Sequence, residues 1–267
     1  MGTDDSSAST KLREYLTLLQ QRDDAGHPFI IVGGHAANFW AEFYSEREPK
    51  LKSFLPFVSK DLDLIGTKTD AARVAATIGW HLSPPPVGGG PVQAVVSSKP
   101  TGQGLAVEFL SEIKGVSHQS IIENTREGSV RIPESNESVV VRVLDPVLLL
   151  AGKIRNAVDI KQDLPERPRQ DVKHVAILAL CVPHFLEDAR QQNTDQTQRR
   201  EVCGRYVAIL AALKRSYSGR QFEAQHPGVI RWRELIPQAI QEMSFGSEVR
   251  VALRHVMGQS QSRGISI

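Results

Sequence analysis

Two aspartates in the N-terminal half have a spacing that suits metal chemistry. Asp61 and Asp63 are separated by one residue, so on a β-strand both carboxylates project from one face while Leu62 and Leu64 point to the other. Like charges on one face repel each other and lower the strand propensity. A divalent cation such as Mg²⁺ relieves this repulsion, because it prefers hard oxygen ligands. Taken alone, the pattern is explained more simply by a strand end whose carboxylates face solvent.

A third carboxylate stands inside an apolar run. Glu108 interrupts the segment Leu105–Leu110, and an unpaired carboxylate within a core strand is costly unless it has a partner or faces an opening. If this strand lies beside that of Asp61 and Asp63, Glu108 completes a cluster of three. Such a cluster can hold two metal ions about 4 Å apart for displacement at phosphorus. An edge strand with Glu108 in water is an equally good interpretation.

A glycine pair adds a candidate phosphate-binding turn. Gly33 and Gly34 stand between a predicted strand, Pro28–Val32, and a predicted helix, His35–Tyr44. Glycines at such a turn let the backbone approach a phosphate, and the helix start adds exposed N–H groups and a positive dipole end. By itself the pair is more often only a tight turn.

The remaining patterns predict the elements that must position these residues. The chain should contain an amphipathic first helix, a second strand that ends at Gly66, a helix capped by Thr69 or Asp70, two further strands and a hairpin. These predicted elements are Lys11–Gln21, Lys60–Gly66, a helix ending near Ile78, Val92–Ser97, Leu105–Leu110, and Ser129–Ile132 with Ser138–Val143 around Pro133–Glu137. The polyproline and glycine stretch 84–90 predicts an irregular loop.

The pattern changes at Asp145-Pro146, which predicts a helix with Asp as its cap and Pro in its first turn. Helical patterns dominate from there to about Met257. We therefore predict an α+β protein: a mixed sheet with flanking helices, followed by an all-helical C-terminal domain. The predicted division is a disordered tail at 1–10, an α/β domain at 11–144, a helical domain at 145–258 and a disordered tail at 259–267.

Charge and cysteine content narrow the class of protein. Of the 267 residues, the first 150 contain 14 Lys and Arg against 18 Asp and Glu, and the remainder contain 18 against 12. An acidic half joined to a basic half fits a metal site that faces a phosphate-binding surface, and solvated helix faces explain it equally well. Two cysteines, Cys181 and Cys203, make no disulfide framework, so we expect both to be reduced and buried. With no export signal and no membrane segment in the pattern, we expect a cytoplasmic protein.

Together these motifs resemble the nucleotidyltransferase superfamily typified by DNA polymerase beta. The sequence Gly33-Gly34-His35-Ala36-Ala37-Asn38, followed by Ser59-Lys60-Asp61-Leu62-Asp63-Leu64, is similar to its bacterial AbiEii-like and minimal nucleotidyltransferase branches. Those families show a Gly-Gly or Gly-Ser turn, an Asp-x-Asp strand often preceded by Lys, and a third acidic residue on a later strand. The resemblance covers about residues 28–180 and implies that the predicted mixed sheet is nucleotidyltransferase-like.

The second half extends the resemblance. Lys153-Ile154-Arg155-Asn156-Ala157 resembles the AbiEii-like Lys-Leu-x-x-Ala helix, whose lysine is thought to meet nucleotide phosphates, and Arg169-Gln170-Asp171 resembles a basic motif with Asp-x-x-Asp. Gln170 stands where a basic residue is usual, and His174 replaces the second Asp. Asp171 therefore matches the pattern, whereas the resemblance assigns no secure role to position 174.

The resemblance implies a metal-dependent transfer of a nucleoside monophosphate from a nucleoside triphosphate to a hydroxyl of RNA (tRNA, for example), protein or a small molecule. Asp61, Asp63 and Glu108 would bind Mg²⁺, with Mn²⁺ as an alternative, and carry the catalysis. Gly33, Gly34, Lys60, Lys153 and Asp171 would bind the nucleotide. The implied role is the toxin of a toxin–antitoxin pair, with an antitoxin as partner. An inactive nucleotide-binding or protein-interaction module on the same fold is the alternative.

Overall fold

Short apolar runs form the strands of a central sheet. The computed structural model describes residues 11–85, 90–100, 104–132, 137–160 and 169–259. Among them, seven strands form one mixed sheet in the order β3-β4-β5-β2-β1-β7-β6. The strands are β1 (Ile30–Val32), β2 (Leu62–Ile65), β3 (His81–Ser83), β4 (Val92–Ser97), β5 (Ala106–Leu110), β6 (Thr125–Arg131) and β7 (Ser138–Leu144).

Strand direction explains which residues meet at the centre. β2 is antiparallel to β1 and parallel to β5, and β1 is parallel to β7. All three residues of β1 are buried, as expected for a central strand with both faces covered, whereas the edge strand β3 is mostly exposed. The glycine turn at the end of β1 and the carboxylates of β2 and β5 therefore lie on neighbouring central strands.

Helices cover the sheet, and after residue 144 they are the only regular secondary structure in the described chain. The α-helices are α1 (Leu16–Leu19), α2 (Gly33–Tyr44), α3 (Lys68–Ile78), α4 (His118–Glu123), α5 (Pro146–Asp159), α6 (Asp171–Gln192), α7 (Gln196–Arg215), α8 (Tyr217–Gln225), α9 (Gln238–Gln241) and α10 (Ser247–Met257). Three 3₁₀ helices lie at Leu12–Tyr15, Pro49–Phe54 and Trp232–Leu235. The protein is thus α+β with a mixed sheet and a helical C-terminal region, as predicted.

The change in secondary structure lies where the sequence places it. Asp145 caps α5 by accepting a hydrogen bond from the Leu148 N–H at 2.8 Å, and Pro146 occupies the first turn. Residues of both halves share one hydrophobic core, in which Trp40 of α2 packs edge-on against Phe185 of α6 at 5.7 Å between ring centroids. The division into separate domains stays a prediction.

Several details differ from the sequence prediction. α3 is capped by Thr67 and not by Thr69 or Asp70, because Thr67 and Asp70 form a reciprocal capping box in which each side chain accepts from the backbone N–H of the other. β3 and α4 were not predicted. Cys181 and Cys203 are buried and free, as predicted. The predicted tails at 1–10 and 259–267, apart from Gln259, and most of the predicted loop 84–90 and turn 133–137, lie outside the described residues.

Candidate functional site

Asp63 and Glu108 lie side by side on neighbouring parallel strands. The register of β2 and β5 pairs Asp63 with Glu108, and residues paired in this way project from the same face of the sheet. The flanking leucines Leu62 and Leu64 are completely buried on the opposite face, as the alternation predicts. The edge-strand interpretation of Glu108 is therefore wrong, because β5 has partners on both sides, β2 and β4.

Asp61 adds a third negative charge to this pair. It lies in a bend directly before β2, two residues ahead of Asp63. Burial raises the pKa of the Asp63 carboxyl well above its usual range, and the nearby charges of Asp61 and Glu108 raise it further. The three predicted carboxylates thus form one electrostatic group at the centre of the sheet, which we call the carboxylate corner.

Gly33 lies directly against this corner. β1 pairs with β2 so that Val32 is opposite Asp63, and Gly33 follows with a φ of 66°. A methyl group added at Gly33 would overlap the Asp63 carboxylate, so only glycine combines this backbone conformation with this contact. The first turn of α2 has no side-chain cap among the described contacts, which leaves its N–H groups suited to an anion.

Gly34 packs on two residues that the sequence prediction did not include. A methyl group there would meet Ser59 and approach Cε1 of His174 to 3.0 Å. His174 is buried, and neither ring nitrogen has a hydrogen-bond partner among the residues that the structure describes. Burial, with the charge of Lys153, holds the pKa of His174 well below its usual range, so this ring is neutral at physiological pH.

Two cations are held beside the corner by Asp171. Its Oδ1 lies 2.8 Å from Nζ of Lys153, and its Oδ2 lies 2.7 Å from Nε of Arg169. The side chains of Lys153 and Asp171 are only 10% and 2% exposed, so this is a buried ion pair. Burial by itself would raise the pKa of Asp171, but the charges and hydrogen bonds of Lys153 and Arg169 outweigh it and hold the pKa below its usual range. We call these three residues the ion cluster.

The ion cluster and the carboxylate corner act on each other. The positive charges of Lys153 and Arg169 lower the pKa of Asp63 and so oppose, without cancelling, the effects of burial and of the other two carboxylates. Both carboxylate oxygens of Asp171 contact cations. Asp171 is therefore better placed to orient Lys153 and Arg169 than to contact an anionic phosphate itself. Arg169 stood inside the motif Arg169-Gln170-Asp171 but was not predicted as a site residue.

Lys60, predicted as a nucleotide-binding residue, is exposed next to Asp61.

Three residues near the corner were not predicted from the sequence as site residues: Arg169, Ser59 and His174. Arg169 had a signal, because it is the basic residue of its motif. Ser59 directly precedes Lys60 in the quoted segment but has no distinguishing chemistry, and His174 was seen only as a departure from the family pattern. Their proximity to Gly34 depends on tertiary packing.

The donor set of the corner suits Mg²⁺, because three carboxylates supply hard anionic oxygens at a place where Lys153 and Arg169 compensate their repulsion only in part. As the side chains stand, no group of three or more His, Cys, Asp or Glu residues in the described part of the chain is arranged to hold a metal ion. The residue types and their shared face therefore fit the metal, whereas a closed set of ligands would require side-chain rotation.

Comparison with known proteins leaves the site to be interpreted from its own geometry. None of the helices that the structure describes is both long enough and apolar enough to cross a lipid bilayer. The chain matches no known protein-family model, and it matches no curated protein.

Proposed function

We propose that this protein is a metal-dependent nucleotidyltransferase, which transfers a nucleoside monophosphate from a nucleoside triphosphate to a hydroxyl acceptor. The observation that carries the proposal is the pairing of Asp63 with Glu108 across adjacent strands, against Gly33 and beside Asp61. Three carboxylates in one place repel one another and so disfavour the folded state, as the raised pKa of Asp63 indicates. Such unfavourable groups of titratable side chains occur often at functional sites.

Phosphate binding would use the positive groups around the corner. The uncapped N–H groups at the start of α2 point to an anion, and Gly33 and Gly34 allow its close approach. Lys153 and Arg169, held in place by Asp171, would offset the charge of the triphosphate. Because the ion cluster orients both cations before a nucleotide arrives, less conformational freedom is lost on binding.

The carboxylates would hold the metal and take up the proton. Asp61, Asp63 and Glu108 are the residues that would bind Mg²⁺, which supplies charge stabilisation to the attacking and leaving oxygens. The acceptor hydroxyl loses its proton to the carboxylate of Glu108 and its oxygen forms a bond to the α-phosphorus. The bond from that phosphorus to the bridging oxygen breaks, and pyrophosphate leaves toward Lys153 and Arg169. The protein's contribution is mainly positioning and electrostatics.

A nucleotide-binding module without catalysis is the second candidate. It is favoured by the carboxylate side chains, which in the described residues do not form a group arranged to hold a metal ion. The replacement of a basic residue by Gln170 and of an acidic residue by His174 points in the same direction. Thermal melting with Mg²⁺ and each nucleoside triphosphate detects either kind of protein, because a ligand that binds only the folded state raises the melting temperature.

Label transfer separates the two candidates. The full chain is incubated with Mg²⁺, a lysate and each α-³²P-labelled nucleoside triphosphate, and labelled products are resolved into RNA, protein and small molecules. We expect labelled product from the wild type and none from Asp61→Ala or Asp63→Ala. Glu127→Gln, which changes an exposed carboxylate on β6, should transfer label at the wild-type rate. A nucleotide-dependent melting shift without any label transfer would support the binding module and reject the transferase.

The proposed physiological role is that of a toxin held in check by an antitoxin, and it rests on the resemblance to AbiEii-like proteins alone. Induced expression in a bacterial host should then arrest growth, and Asp63→Ala at equal expression should not. Equal growth with both proteins would contradict the toxin role but leave the transfer chemistry open to the label assay.

A further inference from the structure

A cavity lies against α2, between His35 and Phe43. It has a volume of about 500 Å³ and is enclosed by α2, the N-terminal 3₁₀ helix Leu12–Tyr15, the segment Leu55–Phe57 and β6. This volume falls within the range of about 300–1,000 Å³ typical of ligand pockets. Neither the carboxylate corner nor the ion cluster contributes to its walls. We call it the α2 pocket.

Asn38 supplies the polar group at the base of the α2 pocket. This residue lines the cavity but is only 4% exposed, and neither its amide oxygen nor its amide nitrogen has a hydrogen-bond partner among the described residues. A buried amide without partners is costly, and most such groups in folded proteins are satisfied. Both amide atoms are closed to solvent as the side chain stands. If the side chain turns into the cavity, a ligand that offers one donor and one acceptor in a plane would satisfy both atoms, as the edge of a nucleobase does.

The mouth of the α2 pocket is positively charged. Lys11, Arg13 and Arg131 line it and are exposed, and among the described lining residues Glu42 alone is acidic. None of the three cations takes part in an ion pair that the structure describes. These cations therefore remain available to a phosphate, which arginine binds through its planar donors.

Aromatic side chains provide the walls. Phe39, Phe43 and Phe57 line the cavity, and Phe43 is 59% exposed, which is unusual for a side chain of this size and polarity. Phe39 also packs against Gly128 of β6. Aromatic rings beside a positively charged surface are the combination with which proteins bind unpaired nucleotides, by stacking on the base and pairing with the phosphate.

We propose that the α2 pocket binds a nucleoside phosphate, with the base between aromatic walls against Asn38 and the phosphate at Lys11, Arg13 and Arg131. The ligand is either a free mononucleotide or the terminal nucleotide of a single strand, which share this chemistry. Asn38 follows Gly33 by five residues on the same helix, a rise of roughly 7.5 Å. The pocket is therefore a second nucleotide site close to the carboxylate corner, and it does not depend on the proposed transfer reaction.

Binding is measured by calorimetry on the full chain in EDTA, so that no metal-dependent binding contributes. The probes are the four nucleoside 5′-monophosphates and single-stranded trinucleotides with the same terminal bases. We expect saturable binding and about a tenfold higher Kd for the double variant Arg13→Ala/Arg131→Ala, because two charge-assisted contacts are lost. The matched control is Arg200→Ala/Arg250→Ala, which removes two exposed arginines from α7 and α10 and should leave the Kd unchanged.

Asn38→Leu tests the base of the pocket. It keeps the side-chain volume and removes both unsatisfied amide atoms, so we expect an equal or higher melting temperature, a weaker Kd and loss of any preference among the four bases. Trinucleotides that bind at least tenfold more tightly than mononucleotides would identify a strand end as the ligand, and equal affinities would identify the free nucleotide.

Three results would overturn the inference: no saturable binding of any probe, binding insensitive to both sets of pocket variants, or binding abolished by Asp63→Asn but not by the pocket variants. The last would place the nucleotide at the carboxylate corner. Since the transferase is tested separately by Mg²⁺-dependent label transfer, failure of the pocket and failure of the proposed function are distinguishable.

Discussion

The carboxylate corner and the ion cluster use the same residue types in opposite ways. In the ion cluster, Asp171 is almost completely buried, but two cations compensate it and its pKa lies below the usual range. In the corner, Asp63 stands among Asp61 and Glu108, and its pKa lies well above the usual range. The ion cluster is therefore electrostatically satisfied within the folded chain, whereas the corner is satisfied only in part. The difference distinguishes a carboxylate that the protein's own cations compensate from carboxylates that they compensate only in part, and a cluster of the second kind is a candidate for function.

The largest expected effect is on the proposed transfer reaction. Asp63→Asn preserves the shape of the side chain but removes its charge, so we expect the rate of label transfer to fall about 100- to 1,000-fold, as when one electrostatic stabiliser is removed from an active site. The protein should remain folded by circular dichroism, since the substitution relieves repulsion. A rate within tenfold of the wild type would place the chemistry elsewhere.

The next largest effect is on stability, through the ion cluster. Asp171→Asn leaves the buried charge of Lys153 without its partner, and we expect the free energy of unfolding in urea to fall by about 3 kcal/mol. Glu234→Gln is the matched control, because its ion pair with Arg231 is 62% and 70% exposed and should contribute little.

A double variant sharpens this test. Lys153→Met with Asp171→Leu replaces both charges by apolar groups and should be more stable than Asp171→Asn alone. If Asp171→Asn and the wild type have the same urea midpoint of unfolding, the ion cluster does not stabilise the fold. The proposed difference between the ion cluster and the corner would then be wrong.

Gly33, the glycine next to Asp63, gives a smaller expected effect on stability, and Gly26 provides the control. Gly26 and Gly33 both have a positive φ, 81° and 66°, but only at Gly33 would a methyl group meet another residue, the Asp63 carboxylate. Gly26→Ala should reduce the free energy of unfolding by about 1 kcal/mol through backbone strain alone. Gly33→Ala adds steric overlap and should cost about 1–3 kcal/mol more. Equal losses would show that Gly33 does not adjoin Asp63 in solution.

The smallest effect is the pH dependence of stability at Asp63. Because its pKa is raised in the folded state, the folded protein binds this proton more tightly than the unfolded chain does. Stability from this group is therefore lost as pH rises from its unfolded pKa through its raised folded pKa. At pH 8 in EDTA, we expect the free energy of unfolding of Asp63→Asn to exceed that of the wild type by about 1 kcal/mol. At pH 3, we expect the two free energies of unfolding to be equal.

Urea unfolding at both pH values measures this difference. A variant that is less stable than the wild type at pH 8 would mean that the Asp63 carboxylate is already compensated. Asp63→Asn is thus expected to raise the free energy of unfolding and to lower the rate of label transfer. Asp171→Asn is expected to lower the free energy of unfolding.

Much of the corner follows from sequence because its determinants are local. The alternation of Asp61 and Asp63 with buried leucines predicts a shared face, and the end of the strand at Gly33 predicts the turn. The pairing of Asp63 with Glu108 required one assumption, that two strands distant in sequence are neighbours. Periodicity cannot supply strand order, since it describes each strand alone.

The ion cluster and the α2 pocket were harder to predict for the same reason. Lys153 and Asp171 stand on different helices, and their pairing depends on how α5 packs against α6. The family resemblance assigned Asp171 to the nucleotide, which stays a prediction, and Arg169, whose partner is two residues away, was not assigned. The cap of α3 was misplaced because Thr67, Thr69 and Asp70 all suit the position, and only the reciprocal bonds of Thr67 and Asp70 decide among them.

The order of the charges along the chain has a consequence during synthesis. The three carboxylates of the corner leave the ribosome before Lys153, Arg169 and Asp171 do. Until α5 and α6 exist and pack, the mutually repelling acids lack the charges of Lys153 and Arg169, which lower the pKa of Asp63 in the folded protein. We therefore expect an incomplete chain to be unable to hold a nucleotide's phosphates at Gly33, so that this site comes into being only with a nearly finished protein.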